Sequence, residues 1–257
     1  MNPICYQCGS PANSREHVPP LCLFPETKDV KGINLRKDLI TVPSCEIHNS
    51  KKSTDDEFLM ISIAGIVGNN FIGFIHNHTK VTRAIRRKSS RFLGSVILKK
   101  NKSFFFKNDT KKNFPITQGI PDVQRLIKCF EHIAYGLYFH KFQKIFDGEV
   151  KVLLGFILYD DDNSQTLVDF IKEKFAIEEL ALQIEGVNKE VFTYQFSKED
   201  EHGIVGLKLV FYEGADVFIA FVPNNVNTTN LGVELVKQGI KTVFTLGDKE
   251  FVFNKDN

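Results

Sequence analysis

Two short runs carry the clearest chemistry in this chain. "CYQC" sets Cys5 and Cys8 three positions apart with Gly9 next, and "CEIH" repeats the spacing with Cys45 and His48. Thiolates and imidazoles spaced this way on tight turns converge on one ion, and four of them complete a tetrahedral shell around Zn2+. With no position left for water, a zinc held by Cys5, Cys8, Cys45 and His48 is structural. The cysteine count is five, which leaves one over in any disulfide scheme, and disulfides are rare in a reducing compartment. Cys22, between Leu21 and Leu23, reads as a small buried residue. An alternative stays open in which Cys22 completes the zinc and His48 binds a second ion.

Between the two pairs lies "SREHVPP", and the second pair runs straight into "NSKK". C-x2-C, then an acidic residue and a histidine opening a strand, then a second pair followed at once by asparagine and lysines, resembles the HNH endonucleases. The resemblance is confined to the N-terminal segment up to about residue 55. It implies a ββα-metal finger in which His17 is the general base that deprotonates the attacking water. It further implies that Glu16 and Asn49 hold a catalytic Mg2+ or Mn2+, with Lys51 and Lys52 near the phosphates. Glu16 stands where many members have aspartate, and Asn34 in "GINLRKD" is the residue nearest the family's middle, orienting asparagine. The chemistry is coherent, since an imidazole titrates near neutrality and a hard cation prefers carboxylate and amide oxygens. The literal letters His76-Asn77-His78 read instead as a polar turn, because the family's name refers to residues separated along the chain. His132, His140 and His202 read as structural or solvated.

These residues need elements to place them. "EHVPP" and "LITVPS" have the extended character of two short strands, residues 45–52 suit a short helix, and Thr54 with Glu57 reads as a capping box for the next helix. "DDEFLMISIAGIVGNNFIGFI" predicts a buried helix and a turn at Gly68-Asn69-Asn70. Residues 81–97 resume helical spacing, with Val81, Ile85, Phe92 and Val96 on one side and Arg83, Arg86, Arg87 and Arg91 on another. "DVQRLIKCFEHIAYGLYFHKF" predicts a long amphipathic helix. From Glu149 the period shortens towards two, and "VKVLLGFILY", "EVFTYQF", "GLKLVFYE" and "DVFIAFV" read as strands, the last two joined at Glu213-Gly214-Ala215. "KTVFTL" and "KEFVF" predict a final hairpin. The expected fold is α+β: a zinc-stabilised ββα-metal domain over 1–58, a helical basic connecting region over 59–120, and a mixed domain with a largely antiparallel sheet over 121–257.

The 257 residues are 42% hydrophobic and 25% charged, the balance of a soluble globular protein. No run approaches the ~20 apolar residues of a membrane span, and "MNPICYQCGS" lacks a signal peptide's charged start and apolar centre, so a cytoplasmic protein without membrane contact is expected. A net charge of +2 says little, but between Lys80 and Lys112 Asp109 is the only acid among many bases, and Phe104-Phe105-Phe106 lie within that block. Such a block can track a phosphate backbone. The expected function is therefore a zinc-stabilised, Mg2+- or Mn2+-dependent HNH-type endonuclease, with DNA favoured over RNA by the resemblance alone. The C-terminal region would supply specificity, control, a protein-partner contact or a homodimer contact, and antiphage or restriction-like defence enters by analogy. The rival expectation is a non-catalytic zinc-containing module that binds nucleic acid or protein.

Overall fold

A computed structural model describes residues 3–50, 53–88, 97–107, 113–179, 182–224 and 231–255. Strand β1 (Ser14–His17) pairs antiparallel with β2 (Thr41–Ser44), matching Ser14 to Ser44 and His17 to Thr41. β1 stops where Pro19 and Pro20 remove two ladder donors, so Glu16 and His17 close the strand instead of opening it. The loop between the strands carries its own apolar anchors, with Leu23, Phe24, Val30 and Leu35 buried. Helix α1 (Glu46–Ser50) follows β2 directly, which completes a ββα order.

Helix α2 (Ser53–Ala64) buries Phe58, Leu59, Met60, Ile61, Ile63 and Ala64, as its all-round apolar sequence predicts. It already includes Ser53, so Thr54 lies inside the first turn and not at a cap. After the expected turn, Asn70 caps α3 (Phe71–His76) by accepting from the Gly73 N–H at 3.1 Å. The His76-Asn77-His78 letters form no turn. The chain passes through π-helical Asn77–Val81 into α4 (Thr82–Lys88), and His76 is fully buried. The helical pattern read over 81–97 is helix only to Lys88 among the described residues, and Ile97 already belongs to β3 (Ile97–Lys107), which pairs with β4 (Asn113–Pro121).

Asp122 caps the long helix α5 (Val123–Phe142), accepting from the Arg125 N–H at 3.1 Å. Strands β5 (Gly148–Leu154), β6 (Phe192–Phe196), β7 (Val205–Phe211) and β8 (Ala215–Pro223) form an antiparallel sheet of order β5-β8-β7-β6. The strand expected through Tyr159 ends at Leu154: after one more contact in register, from the Gly155 N–H to the Asp216 carbonyl, the chain turns and the Ile157 N–H reaches back to the Leu154 carbonyl. The β7–β8 turn is centred one residue earlier than predicted, on Tyr212 and Glu213, both left-handed, the backbone that matches hairpin twist. Helix α6 (Asp162–Glu179), helix α7 (Leu231–Lys237) and the hairpin of β9 (Thr242–Leu246) and β10 (Lys249–Phe253) complete the described chain.

One buried cluster runs from Cys5, Tyr6 and Val18 through α2 and α5 to Phe211 and Phe221 of the sheet. The ββα unit therefore docks on α5, and the approach is close: a Cβ at Gly136 would lie 2.6 Å from the Val18 side chain. The Tyr212 hydroxyl donates to the Leu23 carbonyl, tying the sheet to the loop after β1.

Candidate metal centre and active-site cleft

The C-x2-C run folds as a knuckle because Gly9 takes φ 72, which lets its N–H reach the Cys5 carbonyl at 3.0 Å while the Cys5 N–H reaches Ser10. The partner pair sits where β2 enters α1, and the Asn49 N–H bonds back to the Cys45 carbonyl at 3.1 Å to close the first turn. The two halves converge. The ligand atoms of Cys5, Cys8, Cys45 and His48 all lie within 4.8 Å of one another. Cys8 and Cys45 sulfurs are 3.8 Å apart, and His48 Nδ1 is 3.6 Å from Cys5 and 3.2 Å from Cys45 sulfur. A tetrahedron with Zn–S of about 2.3 Å and Zn–N of about 2.0 Å has edges near 3.8 Å for S–S and 3.5 Å for S–N, so donor types and spacing are compatible with a structural zinc. Hydrogen bonds from Ser10 hold the Cys8 thiol down to about 6, which favours the thiolate that a metal requires.

Cys22 takes no part in the cluster. Its thiol donates to the Asp56 carbonyl at 3.2 Å, and burial pushes it up to about 12, the behaviour of an inert structural thiol. The alternative that swaps Cys22 for His48 is thereby removed, since His48 Nδ1 faces two of the sulfurs.

Immediately beyond the knuckle, the end of β1 faces a narrow cleft of about 10 Å3 lined by Glu16, His17, Asp55, Asp56 and His132. That is about the room of one water molecule. Glu16 is half-buried and takes a hydrogen bond from the Tyr6 hydroxyl. Burial, with Glu16 beside it, pushes the Tyr6 phenol well above its usual value. Asp55 is held by Arg125, whose Nε donates to Oδ1 at 2.7 Å while the guanidinium lies 4.3 Å over the Phe58 ring. His132 Nδ1 is 3.0 Å from Gln7 Oε1.

The other predicted site residues fall as follows. Asn49 is not at the cleft wall; its amide nitrogen donates to Ser14 Oγ at 2.9 Å, on the same face of β1 as Glu16 but two residues earlier. Asn34 is exposed, and its side-chain oxygen accepts from the Arg36 N–H at 3.0 Å, so it shapes its own turn and does not orient His17. Arg83 forks onto Asp29 at 2.8 and 2.7 Å and reaches Glu26 at 3.1 Å, while Arg86 and Arg87 are exposed on α4. Lys51, Lys52 and Arg91 lie outside the described residues.

Sequence reasoning missed Tyr6, Gln7, Asp55, Asp56 and His132. Tyr6 and Gln7 lie between two ligands, the aspartates lie within the run read as a buried helix, and His132 comes from a helix 125 residues away from its Gln7 partner. Fold and site together define a mixed α+β protein with a Cys3His cluster able to hold a metal at its N-terminal ββα unit. No protein-family model, curated protein or solved structure matches the chain. Among the described residues, no helix is long and apolar enough to cross a membrane.

Proposed function

We propose that this protein is an HNH-type endonuclease, stabilised by zinc and dependent on Mg2+ or Mn2+, that hydrolyses phosphodiester bonds in nucleic acid, DNA in preference to RNA. The observation that carries the reading is the convergence of Glu16 and His17 on one cleft at the end of a β1–β2–α1 unit whose base is the Cys3His cluster. In this reading the His17 imidazole takes a proton from a water in the cleft as its oxygen attacks phosphorus. Glu16 would hold the divalent cation, and the Tyr6 hydroxyl fixes that carboxylate. Asn49 gives its amide nitrogen to Ser14, so its carbonyl oxygen is the end offered to a hard cation. When bound, such a cation supplies positive charge against the phosphate and the leaving oxygen. Arg86 and Arg87 on α4, with Lys51, Lys52 and Arg91, would contact the phosphate backbone, which makes binding strongly dependent on salt. A role in defence against foreign DNA remains an analogy.

The test is incubation of supercoiled plasmid and of RNA with the purified protein and Mg2+ or Mn2+. Nicking is expected, lost in His17→Ala. Nicking that survives His17→Ala removes the assigned mechanism. One observation favours the rival non-catalytic module: Asn49 rests on Ser14 and does not line the cleft. Binding of nucleic acid without cleavage of any substrate is the result that would select it.

A further inference from the structure

A groove of about 970 Å3 opens along β2 and is far larger than the cleft at the end of β1. Its lining comes from three places: Arg15 and Thr41 on the β1–β2 hairpin, Phe139 and His140 at the end of α5, and the segment from Gln183 to Lys189. That segment is held to the sheet edge by a two-way backbone bridge, from the Glu185 N–H to the Tyr194 carbonyl at 2.9 Å and back at 3.0 Å. Ile184 and Val187 are left exposed in the lining.

The charges of the groove do not cancel. Its acids are already matched, Glu185 by Lys141 at 2.5 Å and Asp38 by Lys37 at 3.9 Å. Arg15 and Lys189 have no carboxylate partner among the described residues. The Arg15 guanidinium is nonetheless fixed: Nε donates to Thr41 Oγ1 at 3.0 Å, and Nη2 to the same oxygen at 2.8 Å and to the Thr41 carbonyl at 3.0 Å. Its Nη1 is left to donate to an external anion. Thr41 stands on the same ladder rung as His17, so this cation is anchored at the strand end that carries the candidate base.

Unpaired cations over an apolar lining suit a nucleic-acid strand, which sets phosphates on the cations and base faces on apolar and aromatic side chains. Only unpaired bases can offer those faces, because a duplex keeps them in its own stack. We propose that this groove binds a single strand of nucleic acid, with Arg15 and Lys189 each on a phosphate and the strand leading from the groove to His17. The direction towards His17 rests on the endonuclease reading, whereas occupancy by a single strand is tested by binding alone.

The test is fluorescence anisotropy without Mg2+ or Mn2+, using labelled oligo(dT) of about ten nucleotides and a duplex of the same length. Each lost phosphate contact on a single strand should lower affinity about 5-fold at about 0.1 M salt and flatten the salt slope by about 0.7. Arg15→Gln/Lys189→Gln should therefore bind oligo(dT) about 25-fold more weakly, with its duplex affinity unchanged. Lys189→Gln alone removes no bond within the described protein, so it makes the same test without disturbing the hairpin, and should lose about 5-fold. Lys237→Gln, on α7 outside the groove, should lose nothing. The inference is overturned if the wild-type protein does not bind oligo(dT), if the double variant binds it normally, or if duplex affinity falls as far. It is also overturned if an oligoglutamate peptide of the same length displaces oligo(dT) at equal concentration, which makes the groove a site for acidic peptide. A protein that nicks plasmid while its groove variant binds oligo(dT) normally loses this inference and keeps the endonuclease reading. Groove-dependent binding of oligo(dT) with no cleavage of any DNA or RNA sustains the inference and removes the endonuclease reading.

Discussion

The N-terminal ββα unit and the C-terminal sheet are held together by different means. The first has strands of four residues each and a knuckle whose sulfur and nitrogen ligands fill the place where side chains would otherwise pack. The second builds an aromatic core, in which the Phe221 ring lies 4.8 Å from Tyr138 and 5.0 Å from Phe146, centroid to centroid. A short segment cannot bury enough apolar area to order itself, so an ion can replace a core there. The region that carries the candidate site is thus also the one whose order depends on a few donor atoms.

Removing the metal should break that comparison most widely. Structural zinc contributes roughly 10–16 kcal/mol in isolated finger peptides. Cys45→Ser or strong chelation should abolish about one equivalent of bound zinc and open β1 and β2, read as loss of amide protection there. The strands β7 and β8 should keep their protection. If they lose it too, the two regions form one cooperative unit through the shared buried cluster.

The converse experiment acts on the sheet. Phe221 is fully buried, and Phe221→Ala should cost about 3–5 kcal/mol by denaturant titration, with zinc content unchanged. A variant that also sheds zinc would show that the knuckle leans on the sheet more than its own ligands require.

The uneven legibility of the two regions has the same physical origin. Cys5, Cys8, Cys45 and His48 could be read because metal ligation imposes a local spacing, and α2 and α5 could be read because burial imposes a period. The cleft could be read only on the strand side. Glu16 and His17 carry a pattern, but Asp55 sits on α2 beside Arg125, and His132 reaches the cleft only because Gly136 lets α5 close on Val18. No local rule encodes such a juxtaposition. His76 misled for the opposite reason: its polar neighbours suggest a turn, whereas the ring is buried with Nε2 3.1 Å from the Cys22 carbonyl.

That buried ring gives a pH test of the joint between the regions. Burial, with Lys80 nearby and Arg36 adding to it, pushes the His76 imidazole down to about 4, against a weaker opposing pull from the Cys22 carbonyl and Asp29. The unfolded chain binds the proton near 6.5, so between 6.5 and about 4 the unfolded state holds more protons and stability falls as pH falls. The stabilisation is fully present above 6.5, and the loss approaches about 3 kcal/mol by pH 4. His76→Gln should flatten this part of the stability profile measured by urea titration, and an unchanged slope would remove His76 from the account.

The smallest effect is the most local. Tyr212 sits at the β7–β8 turn and is fully buried, and its hydroxyl donates to the Leu23 carbonyl in the loop that follows Glu16 and His17. Tyr212→Phe keeps the ring and removes only the donor, leaving a carbonyl without that partner, at a cost of about 1–2 kcal/mol. The same loop is anchored beside it by Lys80, whose Nζ reaches the Cys22 carbonyl at 3.2 Å. Tyr212→Phe should therefore leave the loop docked and lower the denaturation midpoint slightly. Zinc content should not change, because the four ligands come from the knuckle and the β2–α1 junction, not from the sheet. A loss of bound zinc in Tyr212→Phe would place control of the knuckle in the sheet and not in its own ligands, reversing the division of labour between the two regions.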